Sequence, residues 1–161
     1  MKRAARVTVR PARSADLPAL GRLGAALARL HHEWDPRRFF VQEPMEEGYA
    51  WWLGKELKNK KAVVLIAARG RSVVGYAYGN LEPRDWNALR DACGVLVDLM
   101  VAESERGQGT GRALALAAME ALVAKGAPRV VLGSAARNKA AQRFFKSLGF
   151  RPTMVEMTRE A

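Results

Sequence analysis

The residue pattern predicts an α/β fold: a central twisted mixed β-sheet flanked by helices. Three observations carry this. Short β-rich runs alternate with stretches of helical apolar spacing, residues 62–81 read as a hairpin, and an alanine-rich helix follows a glycine-rich turn that itself follows an apolar strand. In chain order, Val7 to Arg10 is a short edge strand. Ser14 caps a helix whose Leu17, Leu20, Leu23, Leu27 and Leu30 follow helical spacing up to His31 and His32, and Asp35-Pro36 stops it. A second helix is expected from about Pro44 to Lys58. Ala62 to Ala68 and Ser72 to Leu81 are strands joined by a turn at Gly70-Arg71. Gly94 to Val101 is the next strand, Gly109 to Lys125 a helix, and Val130 to Gly133 a β-rich run parallel to the strand before it, through a right-handed crossover. From Asn138 a helix places Ala141, Phe144, Phe145 and Leu148 on one face, and Gly149 ends it. Met154 to Thr158 is expected as the last strand, at the far side of the sheet.

Composition bounds the function. At 161 residues the chain reads as one domain, 1–161, without repeats or low-complexity linkers. The single cysteine, Cys93, excludes an internal disulfide and a multi-cysteine metal site, and points to a reducing compartment. The basic start, Met1 to Arg6, is followed by no apolar stretch of signal-peptide length, and no segment is long enough to span a bilayer. A cytoplasmic protein without membrane partners is expected. The formal charge is +11, but Lys and Arg are spread along the chain with only short clusters at Arg37-Arg38 and Lys58 to Lys61. No basic tail or aromatic-interleaved motif accompanies them, so the charge reads as a solvated basic surface rather than a nucleic-acid site.

The most specific stretch is Arg106-Gly107-Gln108-Gly109-Thr110-Gly111-Arg112. Glycines at 107, 109 and 111 remove the Cβ atoms that would block a close approach to the backbone. The helix that starts there points unpaired N–H groups outward, and Arg106 and Arg112 add positive charge at the rim. This is a phosphate cradle. It is not a Walker loop, because Gly111 is followed by Arg112 and Ala113 rather than by Lys and Ser or Thr. It is not a dinucleotide fingerprint either. The glycines are spaced by two throughout, and Val131 stands where an acidic residue should grip a ribose.

Arg106, Gly109 and Gly111 fill an R-x-x-G-x-G pattern, and Asn138, Ala141, Phe144, Phe145, Gly149 and Phe150 fit N-x-x-A-x-x-F-Y-x-x-x-G-F at the right distance downstream, except that Phe145 replaces tyrosine. With both elements in order over residues 94 to 152, the sequence resembles the GNAT superfamily of N-acyltransferases. The resemblance implies binding of acetyl-CoA as cosubstrate, with transfer of its acyl group to an amine in a ternary complex. It assigns Leu99, Met100, Val101, Arg106, Gly107, Gln108, Gly109, Thr110, Gly111, Arg112, Asn138 and Phe145 to the cofactor. A splayed strand near Val101 is implied to leave its backbone N–H as an oxyanion donor, and Phe145 to line the thioester channel. A homodimer is common among such proteins.

Phe145 cannot protonate the departing thiolate as a tyrosine could, but a thiol with a reference pKa near 8.5 is a fair leaving group without help. Two base candidates stand out. Asp98 lies in an otherwise apolar strand, Val95 to Val101, where it must face a cleft or a basic partner. His31 and His32 sit where the first two helices meet, the corner that forms the acceptor side in the resembling family. Glu82 is a lesser candidate, and Glu103 and Glu105 read as solvated. No metal site is expected, since adjacent histidines diverge on a helix and no third ligand is evident. Cys93 has no base beside it in sequence and is a poor nucleophile. The alternative reading is a non-catalytic acyl-CoA-binding module.

Overall fold

The computed structural model describes residues 6–161. The observed elements are β1 (Val7–Pro11), α1 (Leu17–Trp34), α2 (Met45–Glu56), β2 (Ala62–Arg69), β3 (Ser72–Glu82), β4 (Cys93–Val101), α3 (Thr110–Ala124), β5 (Val130–Leu132) and α4 (Lys139–Ser147). They form a five-stranded sheet in the order β1-β2-β3-β4-β5. β1 to β4 are antiparallel neighbours and β5 runs parallel to β4, as a crossover through α3 requires. The mixed α/β architecture is the one read from the sequence.

Two apolar layers sandwich the sheet. On one face Leu114, Ala118 and Leu122 of α3 pack on Leu65, Ala67, Ala77 and Leu96. On the other, Leu20 of α1 and Leu53 of α2 meet Ile66, Tyr76, Tyr78 and Met100. β2 is buried along Ala62 to Ala68, because it is central and covered on both faces. α3 lies so close to β3 that a Cβ at Gly79 would sit 2.7 Å from the Val95 carbonyl oxygen and 3.1 Å from Leu122.

Two expectations are corrected. Ser14 does not cap α1: residues Ser14–Asp16 form a 3-10 turn and the helix begins at Leu17, with Pro18 in its first turn. Asp16 organises this start instead, accepting the Arg13 N–H and pairing with Arg10. Met154 to Thr158 is not a strand, since residues 151–161 carry no regular structure and are exposed throughout. Among the described residues no strand pairs with the outer edge of β5.

The element that shapes the site is an irregularity in β4. Tyr78 pairs with Asp98, yet the next residue of β3, Gly79, pairs with Leu96, which leaves Val97 as an extra residue. A bulge of this kind reverses which face later side chains occupy. Leu96 belongs to the α3 face, but beyond the bulge it is Leu99 and Val101 that pack there, while Met100 lies on the α1/α2 face. Asp98 is carried over with Met100. The β4–β5 pairing ends at Leu96 and Leu132, so the two parallel strands part where the bulge occurs.

Candidate functional site

The opening between β4 and β5 exposes main-chain groups. Ala102 donates its N–H to the Val74 carbonyl of β3 at 2.8 Å. By the alternation of an antiparallel ladder, Met100 and Asp98 also turn their amides toward β3, and those of Leu99 and Val101 point into the opening. Arg106 Nε donates to the Val101 carbonyl at 3.1 Å, so this carbonyl also faces away from β3. The Val101 amide, expected as an oxyanion donor, thus faces the opening, and the Leu99 amide faces it too.

The cradle follows directly. Gly107 and Gly109 have φ of 72° and 83°, a left-handed conformation that glycine adopts without strain, and Gly109 is the N-cap of α3. No side chain caps the helix and no acidic residue occupies its first turn. Among the described residues, the N–H groups of 107 to 112 have no hydrogen-bond acceptor; the first amide of the helix to find one is Ala113, which donates to the Gly109 carbonyl. Cβ atoms built at Gly107 and Gly109 meet nothing within 4 Å. Thr110, only 2% exposed, has an unpartnered Oγ1. A row of free donors at the positive end of a helix, open to solvent through glycine, fits a pyrophosphate. Arg106 is partly engaged by Val101, Gln108 by the Ser104 carbonyl and by Arg69, and Arg112 stands at the helix start.

Glu105 is not the solvated residue expected: it pairs with Arg69 at 2.8 Å, its side chain 15% exposed, and so ties the turn before the cradle to the end of β2. Glu82, at the end of β3, is paired with Arg90. Cys93 opens β4, is buried, and has its thiol pushed up by desolvation, in keeping with a structural role.

The second motif closes the other side. Asn138 caps α4, its side-chain oxygen accepting the Ala141 N–H at 3.0 Å, so its role in this structure is to start the helix. Phe144 reaches the first turn of α3, its Cζ 4.0 Å from where a Cβ on Gly111 would lie. Phe145 packs into the core beneath the sheet opening, edge-to-face with Phe144 and Phe150.

Across the sheet, the two base candidates prove to be neighbours. Asp98 is 9% exposed and accepts a hydrogen bond from the Tyr76 hydroxyl at 2.8 Å. Burial pushes its carboxyl above the usual aspartate range, and the Tyr76 hydrogen bond and the nearby charge of His31 pull the other way without cancelling it. Tyr76 is itself raised well above the ordinary phenol value by burial, and Tyr49 to about 12, so both stay protonated and Tyr76 acts as donor. Among the described residues no cation forms a salt bridge with Asp98, which speaks against a structural ion pair as the reason for its burial. His31 Nδ1 lies 2.9 Å from the Leu27 carbonyl, and a donated proton there leaves Nε2 as the acceptor. Its ring is wedged edge-on between Trp34 and Phe39. His32 diverges: its Nδ1 lies 2.7 Å from the Phe39 carbonyl and steadies the α1–α2 connection. Sequence reasoning missed Tyr76, whose signal was only a tyrosine in a β-strand.

Among the described residues no cluster of three or more metal-ligating side chains occurs, and no helix is long and apolar enough to cross a membrane.

Comparison with known proteins agrees with this fold. A tetramutant of the BH1408 protein from Bacillus halodurans superimposes with a TM-score of 0.83 at 23% identity, covering 96% of this chain and 99% of that one. The aminoglycoside N-acetyltransferase AAC(6')-Iy, solved in complex with CoA, superimposes with a TM-score of 0.74 at 17% identity over 100% and 98% of the two chains. A GCN5-related N-acetyltransferase from Ralstonia eutropha gives 0.73 at 20% identity over 97% and 99%. No curated protein sequence matches the chain. The profile of the acetyltransferase (GNAT) family matches residues 27–150, which include the His31–His32 corner, β4, the glycine turn and α4; the chain belongs to the GNAT acetyltransferase family.

Proposed function

We propose that the protein transfers an acetyl group from acetyl-CoA to an amine by direct attack, with both substrates bound together. The observation that carries the reading is the pairing of an uncapped helix start at 107 to 112 with a strand opening that turns the Leu99 and Val101 amides outward. Acetyl-CoA would be held through its phosphates by the free N–H groups of 107 to 112 with Arg106, Gln108 and Arg112 at the rim, and it would supply the activated acyl carbon. Thr110, Asn138 and Phe145 belong to the same wall.

The chain's own residues then have distinct tasks. The amides of Leu99 and Val101 stabilise negative charge on the acyl oxygen, because fixed donors outside the sheet ladder need no reorganisation. Asp98, whose carboxylate burial makes a stronger proton acceptor than an ordinary aspartate, takes the proton from the acceptor ammonium, directly or by way of His31. Tyr76 holds the carboxylate oriented. No side chain at 145 can give a proton to the thiolate, which leaves as a fair leaving group and is protonated by solvent.

The acceptor enters from the α1–α2 side, walled by His31, Trp34 and Phe39. The aminoglycoside acceptor in the name of one neighbour belongs to that protein; the +11 charge of this chain favours a neutral or acidic molecule bearing one amine. A screen of amines with acetyl-CoA, read by thiol release and by mass spectrometry of the products, tests the proposal. Acetylated product with stoichiometric CoA supports it. Tight acetyl-CoA binding without product across small amines, amino acids, polyamines and peptide amino groups would favour the binding-module reading instead.

A further inference from the structure

β4 carries one apolar side chain that the core does not use. Val97 is 47% exposed in the middle of the strand, between Leu96 at 3% and Asp98 at 9%, and it belongs to neither apolar layer. It is the extra residue of the bulge, so no residue of β3 stands opposite it. It also lies at the narrow end of the strand opening. Leu96 and Leu132 form the last β4–β5 pair, and the two strands part from Val97 onward. One exposed valine on a protein surface is ordinary. This one sits two residues, about 6 to 7 Å of strand, before Leu99, whose amide faces the same opening.

The order of positions along the chain gives the direction of a bound acyl-CoA. Its phosphates belong at 107 to 112, its acyl oxygen on the Val101 and Leu99 amides, and the strands close at Leu96. A pantetheine arm that enters from the cradle thus reaches these amides with its acyl chain directed at the closed end, where Val97 stands. We propose that Val97 sets the length of the acyl group: the donor site takes acetyl and rejects longer acyl chains, because the valine side chain and the Leu96–Leu132 pair wall off the end of the opening. The inference deepens the acetyl-transfer reading and rests on it, since that reading fixes where the acyl carbon lies. An apolar wall of this kind discriminates by roughly 10- to 200-fold for each methylene that does not fit. Because Val97 lies outside both apolar layers, shortening it opens no cavity in the core, so the fold survives the substitution that tests the wall. A valine kept only for its strand propensity would show no dependence on acyl length.

Calorimetric titration of the full chain with CoA, acetyl-CoA, propionyl-CoA and butyryl-CoA, in the wild type, Val97→Ala and Val97→Ile, tests it without any acceptor. The wild type should bind acetyl-CoA at least ~10-fold more tightly than butyryl-CoA, with propionyl-CoA between them. Val97→Ala should raise the affinity for butyryl-CoA relative to acetyl-CoA by at least ~10-fold, and Val97→Ile should lower that for propionyl-CoA relative to acetyl-CoA. Affinity for CoA, which has no acyl chain to meet the wall, should stay the same in all three. Equal affinities for acetyl-CoA and butyryl-CoA in the wild type overturn the inference, and so does an unchanged ratio in Val97→Ala; in both cases binding of CoA leaves the cradle reading standing. A wild type that binds none of the four ligands overturns both. If circular dichroism shows that the alanine variant does not fold, an unchanged propionyl-to-acetyl ratio in Val97→Ile overturns the inference instead.

Discussion

Asp16 and Asp98 are both buried carboxylates on the helix side of the sheet, and the protein treats them oppositely. Asp16 receives two hydrogen bonds from the Arg10 guanidinium, at 2.8 and 2.9 Å, and one from the Arg13 N–H. Its pKa is lowered, first by Arg10, despite desolvation. Asp98 receives one neutral hydroxyl, and desolvation wins. The first is compensated as a structural charge must be, since an unpaired buried carboxylate is costly. The second is left short of partners and next to a histidine, and that shortage suits it to the proposed role of proton acceptor. Burial alone does not distinguish a functional carboxylate; the deficit of compensating partners does.

The largest effect should come from Asp98→Asn, which keeps the shape and the acceptor for Tyr76 and removes the base. Turnover at saturating acetyl-CoA should fall by at least ~10²-fold, with a smaller loss in His31→Ala and a smaller one still in His32→Ala. The same Asp98→Asn variant should be more stable than the wild type near neutral pH. A carboxyl whose folded pKa is raised favours the folded state only while protonated, and that contribution disappears as pH rises through the raised value. A variant that turns over normally while His31→Ala is inactive would give the base role to His31.

Asp16→Asn is expected to do the reverse. Stability should drop by about 1 to 3 kcal/mol, at the lower end because Arg10 is a third exposed, and turnover per folded molecule should be unchanged. Because the Asp16 pKa is lowered, its stabilisation is present above the ordinary carboxylate range and is lost as pH falls through the lowered value; the variant should lack that part of the acid limb in denaturation curves. Equal stability of wild type and variant at neutral pH would break the comparison.

The subtlest test is Tyr76→Phe. It removes the hydrogen bond that holds the Asp98 pKa down, so the acidic limb of the rate profile should move to higher pH while the plateau changes less than in Asp98→Asn. A merely structural tyrosine would lower the plateau or the melting temperature without moving the limb.

The sheet, its helices and the cradle were legible because each rests on local signals. Continuous β-prone apolar runs mark β2 and β3, and Gly107 and Gly109 leave the approach to the start of α3 open, as the glycines there suggested. What was not legible depends on contacts distant in sequence. The extra residue Val97 reverses the face of Asp98, and nothing in Val95 to Val101 announces a bulge. Asp98, His31 and Tyr76 come together only because α1 and β3 meet beside β4. Glu105 looked solvated because its partner Arg69 is on another strand. Met154 to Thr158 has the composition of a strand, but composition alone does not supply a sheet edge for it to pair with.

The account rests on acetyl-CoA lying against the start of α3, and calorimetric titration of acetyl-CoA into Gly111→Val, beside the wild type and Arg106→Ala, addresses it most directly. Gly111 is the better position than Gly109, where φ of 83° would strain any branched side chain regardless of ligand. At 111 a Cβ makes only ordinary contacts with Val101 at 3.7 Å and Phe144 at 4.0 Å, so the added methyls enter the cleft rather than break the fold. The expected result is wild-type binding, a loss of about 1 to 3 kcal/mol in Arg106→Ala, and a larger loss in Gly111→Val with the circular dichroism unchanged. Wild-type affinity in a folded Gly111→Val protein would contradict the cradle.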